Sequence, residues 1–138
     1  MDNLTYRTCE PTDIETILEF WGTATLGGST NNAEAIRIFL DRDAELFITV
    51  WDGDALVGTV MACWDGWRAH FARLSVAPGY RRRGIARDLV ERAEKLLRDR
   101  GAKRVYADIL TDSAGAIDFW KSVGFTANEV VEPYAKNL

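Results

Sequence analysis

Two hydrophobic periods alternate along the 138 residues, and each change of period marks an element. Leu4–Thr8 reads as a short strand. Thr12 followed by Glu15 is a capping-box pair and predicts a helix running through Trp21. A small, polar, glycine-rich loop follows at 23–30. Ile36, Phe39 and Leu40 give helical spacing to a second helix from about Asn32 to Leu40. Strand-like runs come next at Leu46–Trp51, Leu56–Trp64 and Ala69–Val76, with Asp-Gly pairs at 52–53 and 65–66 as hairpin signals.

The third helix, from Gly84 to about Arg100, sets Ile85, Leu89, Ala93, Leu96 and Leu97 on one face, and Gly101 stops it. Val105–Leu110 reads as a strand, Ser113–Val123 as a helix stopped by Gly124, and Phe125 onward as one or two strands ending near Tyr134. A meander followed by a strand–helix–strand unit predicts an α/β (α+β) fold, a mixed, mostly antiparallel sheet flanked by helices. No repeat or linker interrupts the chain, so residues 1–138 are expected to form a single domain.

Composition narrows the function classes. Hydrophobic residues at 47% and charged residues at 28% are ordinary for a globular protein. No apolar run reaches membrane-spanning length, and the first residues carry no apolar leader, so the expectation is cytoplasmic, with no membrane partner. A formal net charge of -4 argues against general nucleic-acid binding. Cys9 and Cys63 stand apart without ligand spacing, so no metal is expected and the two read as reduced thiols. A homodimer is an open expectation.

Against that acidic background, Arg81-Arg82-Arg83-Gly84-Ile85-Ala86 is a local concentration of cations. It follows Leu74-Ser75-Val76 and opens the long helix. A helix N-terminus offers unpartnered N–H groups and partial positive charge, which suit phosphate. Gly84 allows close backbone approach, and the arginines add cationic donors. An ordinary crossover with solvated surface arginines would carry the same residues, and only a second motif separates the two.

That motif exists. Arg81-x-x-Gly84-x-Ala86 resembles the R/Q-x-x-G-x-G/A pyrophosphate motif of the GCN5-related N-acetyltransferases, and the downstream A-I-D-F-W-K-S-V-G-F resembles their A-I-x-F-Y-x-x-x-G-F. The likeness covers roughly residues 46–126. It implies an acetyl-CoA-dependent acetyltransferase in which residues 69–76 and 104–110 splay apart around the co-substrate. By that resemblance Leu74, Ser75 and Val76 line the pantetheine arm, Arg82, Arg83, Gly84, Ile85 and Ala86 cradle the pyrophosphate, Arg81 holds the motif's first position, and Arg87 adds charge near the nucleotide. Ser113 stands where the family has Asn, with a shorter reach toward pantetheine. Trp120 stands where the family has the Tyr that protonates the departing thiolate, and an indole N–H cannot act as that acid.

An attacking amine must lose a proton, and His70, the only histidine, is the candidate general base. Strand alternation would put it on one face with Ala72, Leu74 and Val76. Asp65, Asp108 and water remain open as alternatives. For the acceptor, Trp21, Gly28, Glu34, Trp64, Asp65 and Trp67 are the candidates, since aromatics with a carboxylate suit a cationic amine. Three functions stay open: N-acetylation of a small amine or amino acid, acetylation of a protein N-terminus or lysine, and non-catalytic acyl-CoA binding.

Overall fold

Apolar alternation builds Leu4–Thr8 (β1), Phe47–Asp52 (β2), Ala55–Trp64 (β3), Ala69–Val76 (β4) and Val105–Ala107 (β5) into one sheet in the order β1-β2-β3-β4-β5. The computed structural model describes residues 3–23, 31–109, 114–127 and 134–138. Three strand pairings are antiparallel, and β4–β5 is parallel across the helix Ile85–Asp99 (α3). The other helices are Ile14–Thr23 (α1), Ala33–Asp43 (α2) and Ala114–Ser122 (α4). The chain forms two compact units, Met1–Asp108 and Ile109–Leu138.

Neighbouring residues of β3 show how the larger unit is layered. A Cβ on Gly58 would lie 3.4 Å from Ile85 and from Leu89, so this face carries α3. Successive side chains of a strand point to opposite faces. Thr59 therefore faces the other way, and its hydroxyl accepts a hydrogen bond from Trp21 of α1 at 3.0 Å. On that side Ile14, Ile17, Trp21, Ile36 and Leu40 form a buried cluster with Phe47, Trp51 and Leu56. On the α3 side Ile85, Leu89, Val90, Ala93 and Leu97 are buried. Val90 joins the expected face, while Leu96 is only half-buried. The expected mixed sheet flanked by helices is the observed fold.

Three local expectations need correction. Thr12 is not the cap of α1: Pro11–Asp13 forms a turn of 3-10 helix, and the Asp13 carboxylate accepts the Glu10 N–H at 2.8 Å. Arg7 grips both oxygens of that carboxylate, at 2.8 and 3.1 Å. The strand expected over 105–110 spans Val105–Ala107, and α2 runs on to Asp43 from an Asn32 cap whose side chain accepts the Ala35 N–H at 2.9 Å. The 23–30 loop beyond Thr23, the residues Leu110 and Ser113, and residues 128–133 of the strands expected from Phe125 to near Tyr134 lie outside the described residues, while residues 125–127 form no strand.

Candidate functional site

β4 changes character halfway along. Ala69, His70 and Phe71 pair in parallel with Val105, Tyr106 and Ala107, and beyond Phe71 β4 has no parallel partner among the described residues. Among the described residues, Leu74, Ser75 and Val76 have no parallel partner, because β5 ends at Ala107.

On its other side β4 is bulged. Met61 pairs with Ala72 and Thr59 with Ser75, so Arg73 and Leu74 together oppose Val60. Arg73 adopts a left-handed backbone, φ 56°, which is costly for a residue with a Cβ. Two hydrogen bonds hold it. The Trp21 indole N–H donates to Thr59 at 3.0 Å, and the Thr59 hydroxyl donates to the Arg73 carbonyl at 2.8 Å. The Arg73 guanidinium lies over the Trp21 ring, 5.3 Å from its centroid.

The bulge overturns one expectation about faces. Cross-strand partners share a face, so His70 (opposite Cys63) and Ala72 (opposite Met61) lie on the Thr59 face with Ser75. Val76, opposite Gly58, points to the α3 face. His70 does not share a face with Val76, because the extra residue shifts the phase by one. The signal was present in the sequence. Apolar Ala69 and Phe71 occupy odd positions, whereas Leu74 and Val76 occupy even ones.

Past β4 the chain turns through Pro78–Tyr80 and enters the arginine loop. Arg82 and Gly84 are both left-handed, at φ 63° and 83°. Gly84 is the N-cap of α3 with no side chain to cap it, and the first helical bond runs from the Asp88 N–H to its carbonyl at 3.0 Å. The N–H groups at the start of α3 thus have no intrahelical acceptor. A Cβ at Gly84 would meet no protein atom within 4 Å, so the approach to these donors is open. Arg82, Arg83 and Arg87 are exposed, Ala86 is half-buried and Ile85 is buried. The loop is braced from behind. Arg81 Nε donates to the Val76 carbonyl at 3.0 Å, Tyr80 donates to Asp52 at 2.5 Å, and Arg83 stacks over Tyr80 at 5.1 Å. The Asp52 contact raises the Tyr80 phenol above its ordinary pKa, keeping it a donor. Sequence reasoning missed this brace, since it joins a β2 turn residue to a loop 28 residues away.

The arginine loop follows directly on β4, and its donors suit an acyl-CoA: N–H groups without an intrahelical acceptor and arginines for the pyrophosphate, with the β4 strand for the amide-bearing arm. The acceptor candidates are not gathered in the same way. Trp21 is buried at the bulge. Trp64, Asp65 and Trp67 sit in the β3–β4 turn, at the opposite end of β4 from the arginine loop. Glu34 is exposed on the first turn of α2, Asp108 is exposed just after β5, and Gly28 lies outside the described residues. The Asp65 carboxylate accepts the Trp67 and Arg68 N–H groups, both at 2.7 Å, and the bonds from Arg68 and Trp67 hold it below the usual carboxylate range.

His70 is exposed on β4, two residues before Ala72. In the smaller unit Trp120 is buried and packs edge-on against Phe119 at 5.3 Å and Phe125 at 4.8 Å. Burial pushes the Cys9 thiol up to about 12 and the Cys63 thiol up to about 11, so neither is a thiolate nucleophile near neutrality. Among the described residues no group of three His, Cys, Asp or Glu side chains gathers as a metal site.

Residues 14–125 match the family described as acetyltransferase (GNAT) family. A relative named acetyltransferase SG1711, from Sodalis glossinidius, is 30% identical over 127 residues, covering 91% of this chain and 89% of its own. Among solved structures, Ard1 from Thermoplasma volcanium superposes with a TM-score of 0.81 at 23% identity, covering 92% of this chain and 85% of that one. The paia N-acetyltransferase from Thermoplasma acidophilum, in complex with coenzyme A, gives a TM-score of 0.79 at 17% identity and 94% coverage of each chain.

Proposed function

Because the chain belongs to the acetyltransferase (GNAT) family, we propose that it transfers an acetyl group from acetyl-CoA to the primary amine of a small acceptor, a free amine or an amino acid, by direct attack in a ternary complex. The observation that carries this reading is the arginine loop at the open N-terminus of α3, which follows directly on the stretch of β4 beyond Phe71 that has no parallel partner among the described residues. The coenzyme A complex of the Thermoplasma acidophilum neighbour supports the choice of co-substrate.

Acetyl-CoA supplies the acyl group as an activated thioester. Ile85 and Ala86, at the start of α3, hold the pyrophosphate through backbone N–H groups, while Arg82 and Arg83 balance its charge. Leu74, Ser75 and Val76 orient the arm along β4. The bulge at Arg73 fixes where that stretch points. A neutral amine forms the C–N bond as the C–S bond breaks, and its surplus proton passes to His70, directly or through one water. The thiolate takes its proton from water, so no acid is needed at Trp120.

Incubation with acetyl-CoA and a panel of free amines, amino acids and peptides, read as thiol release, tests the reading. Release that depends on a small amine supports it. Release with peptides alone moves the acceptor to a protein terminus or lysine. Coenzyme binding without release for any acceptor leaves a non-catalytic acyl-CoA-binding module.

A further inference from the structure

The β3–β4 turn and the connection from α3 to β5 enclose a second feature, an open cleft of about 420 Å³ lined by Trp64, Trp67, Arg68, Lys103, Arg104 and Tyr106 among others. We propose that this cleft binds a nucleoside monophosphate, with the base stacked on Trp67 and the phosphate held by Arg68, Lys103 and Arg104.

Charge is the first argument. Three cations line the cleft and no carboxylate does, in a chain whose net charge is -4. Among the described residues none of the three has a carboxylate within 4.0 Å. Of the nearest acids in sequence, Asp65 is held by the backbone of its own turn and Asp99 pairs with Lys95 at 3.0 Å, while Asp108 does not line the cleft. Such a cleft repels a cationic amine and attracts an anion, so it does not suit the acceptor expected for the transfer reaction.

Preorganisation is the second. Arg68 lies over the Tyr106 ring at 4.5 Å and Arg104 at 5.3 Å, and Arg68 Nη2 donates to the Tyr106 oxygen at 3.4 Å. Stacking covers the guanidinium faces and leaves in-plane N–H donors for phosphate oxygens. The Arg68 bond also lowers the Tyr106 phenol below its ordinary pKa.

The third is the exposed indole. Trp67 is 90% exposed, at a turn stiffened by the two Asp65 hydrogen bonds. A water-exposed indole on an ordered turn, beside cations, is a pairing suited to a base together with its phosphate. The volume lies within the range that encloses ligands of nucleotide size. The cleft sits at the start of β4 and the arginine loop after its end, so the two sites are separate and this proposal does not depend on acetyl transfer.

The test is calorimetric titration of the full chain, with coenzyme A at saturation to occupy the arginine loop, using UMP, uridine and inorganic phosphate as probes. UMP should bind one to one, with uridine and phosphate each about tenfold weaker or worse. UMP affinity should fall with salt, by about tenfold or more in Trp67→Ala and by a similar factor in an Arg68→Gln, Arg104→Gln double variant; both should keep the parent circular dichroism spectrum. Phosphate binding as tightly as UMP, or Trp67→Ala binding UMP like the parent, overturns the proposal. Oligouridylate affinity that climbs with length overturns it in favour of a single-stranded nucleic-acid surface. A chain that binds UMP but not coenzyme A would sink the transferase reading and leave this one standing.

Discussion

The Trp21 indole N–H donates to the Thr59 hydroxyl at 3.0 Å, with both residues at most 1% exposed, and Thr59 passes the bond on to the Arg73 carbonyl at 2.8 Å. The same arrangement recurs away from β4: Trp51 donates to Thr49 at 2.8 Å, Thr49 donates to the Arg7 carbonyl at 2.8 Å, and Arg7 lies over the Trp51 ring. One copy fixes the bulge in β4, and the other ties β1 to β2.

The pair of copies separates positioning from stability. Thr59→Val and Thr49→Val each leave a buried indole donor and a carbonyl unsatisfied, and each should cost about 1–3 kcal/mol in denaturant unfolding. Only Thr59→Val should also lower kcat, with Thr59→Ser restoring it. Equal kcat in the two valine variants would show that the bulge needs no such lock.

His70→Gln should lower turnover by about 10²–10⁴-fold if His70 takes the amine's proton, with acetyl-CoA affinity little changed. The rising limb of the pH–rate profile should vanish with it. Parent-like rates across the pH range would hand the proton to water or to the free amine's own equilibrium.

Asp13 carries a pH-dependent part of the stability. The hydrogen bond from Arg7, with the Glu10 N–H, holds its pKa below the ordinary carboxylate value against the opposing effect of burial. A depressed folded pKa contributes stability above the unfolded value of about 4, and that contribution is lost as pH falls through the folded one. Asp13→Asn should therefore cost about 1–2 kcal/mol at pH 7 and progressively less below pH ~4. Urea midpoints at pH 7 and pH 3 check this, and a penalty independent of pH would contradict it.

What the sequence disclosed follows from locality. The first four strand runs, the α3 helix and the arginine loop each announce themselves within a few residues, so their positions agree with the structure. The phosphate-binding role proposed for the Gly84 loop needs only its own backbone and the helix behind it. Contacts between distant segments were harder to read: Tyr80 to Asp52, Trp21 to Thr59, and Arg68 to Tyr106. The acceptor residues were grouped by type, aromatic beside acid, yet the fold separates Trp21 from Trp64 and Trp67 and sets cations around the latter two. The phase slip in β4 was visible in the positions of its apolar residues, but only a pairing partner tells a bulge from a break.

The arginine loop is the centre of the account, and Gly84 tests it most directly. Its φ of 83° favours glycine, and a side chain there would stand in the open approach to the α3 N-terminus. Calorimetric titration with coenzyme A should show tight binding to the parent, about tenfold or greater weakening in Arg83→Ala, and loss of measurable binding in Gly84→Val, with the variants' folds confirmed by circular dichroism. A folded Gly84→Val that binds coenzyme A as tightly as the parent would place the pyrophosphate elsewhere and contradict the account.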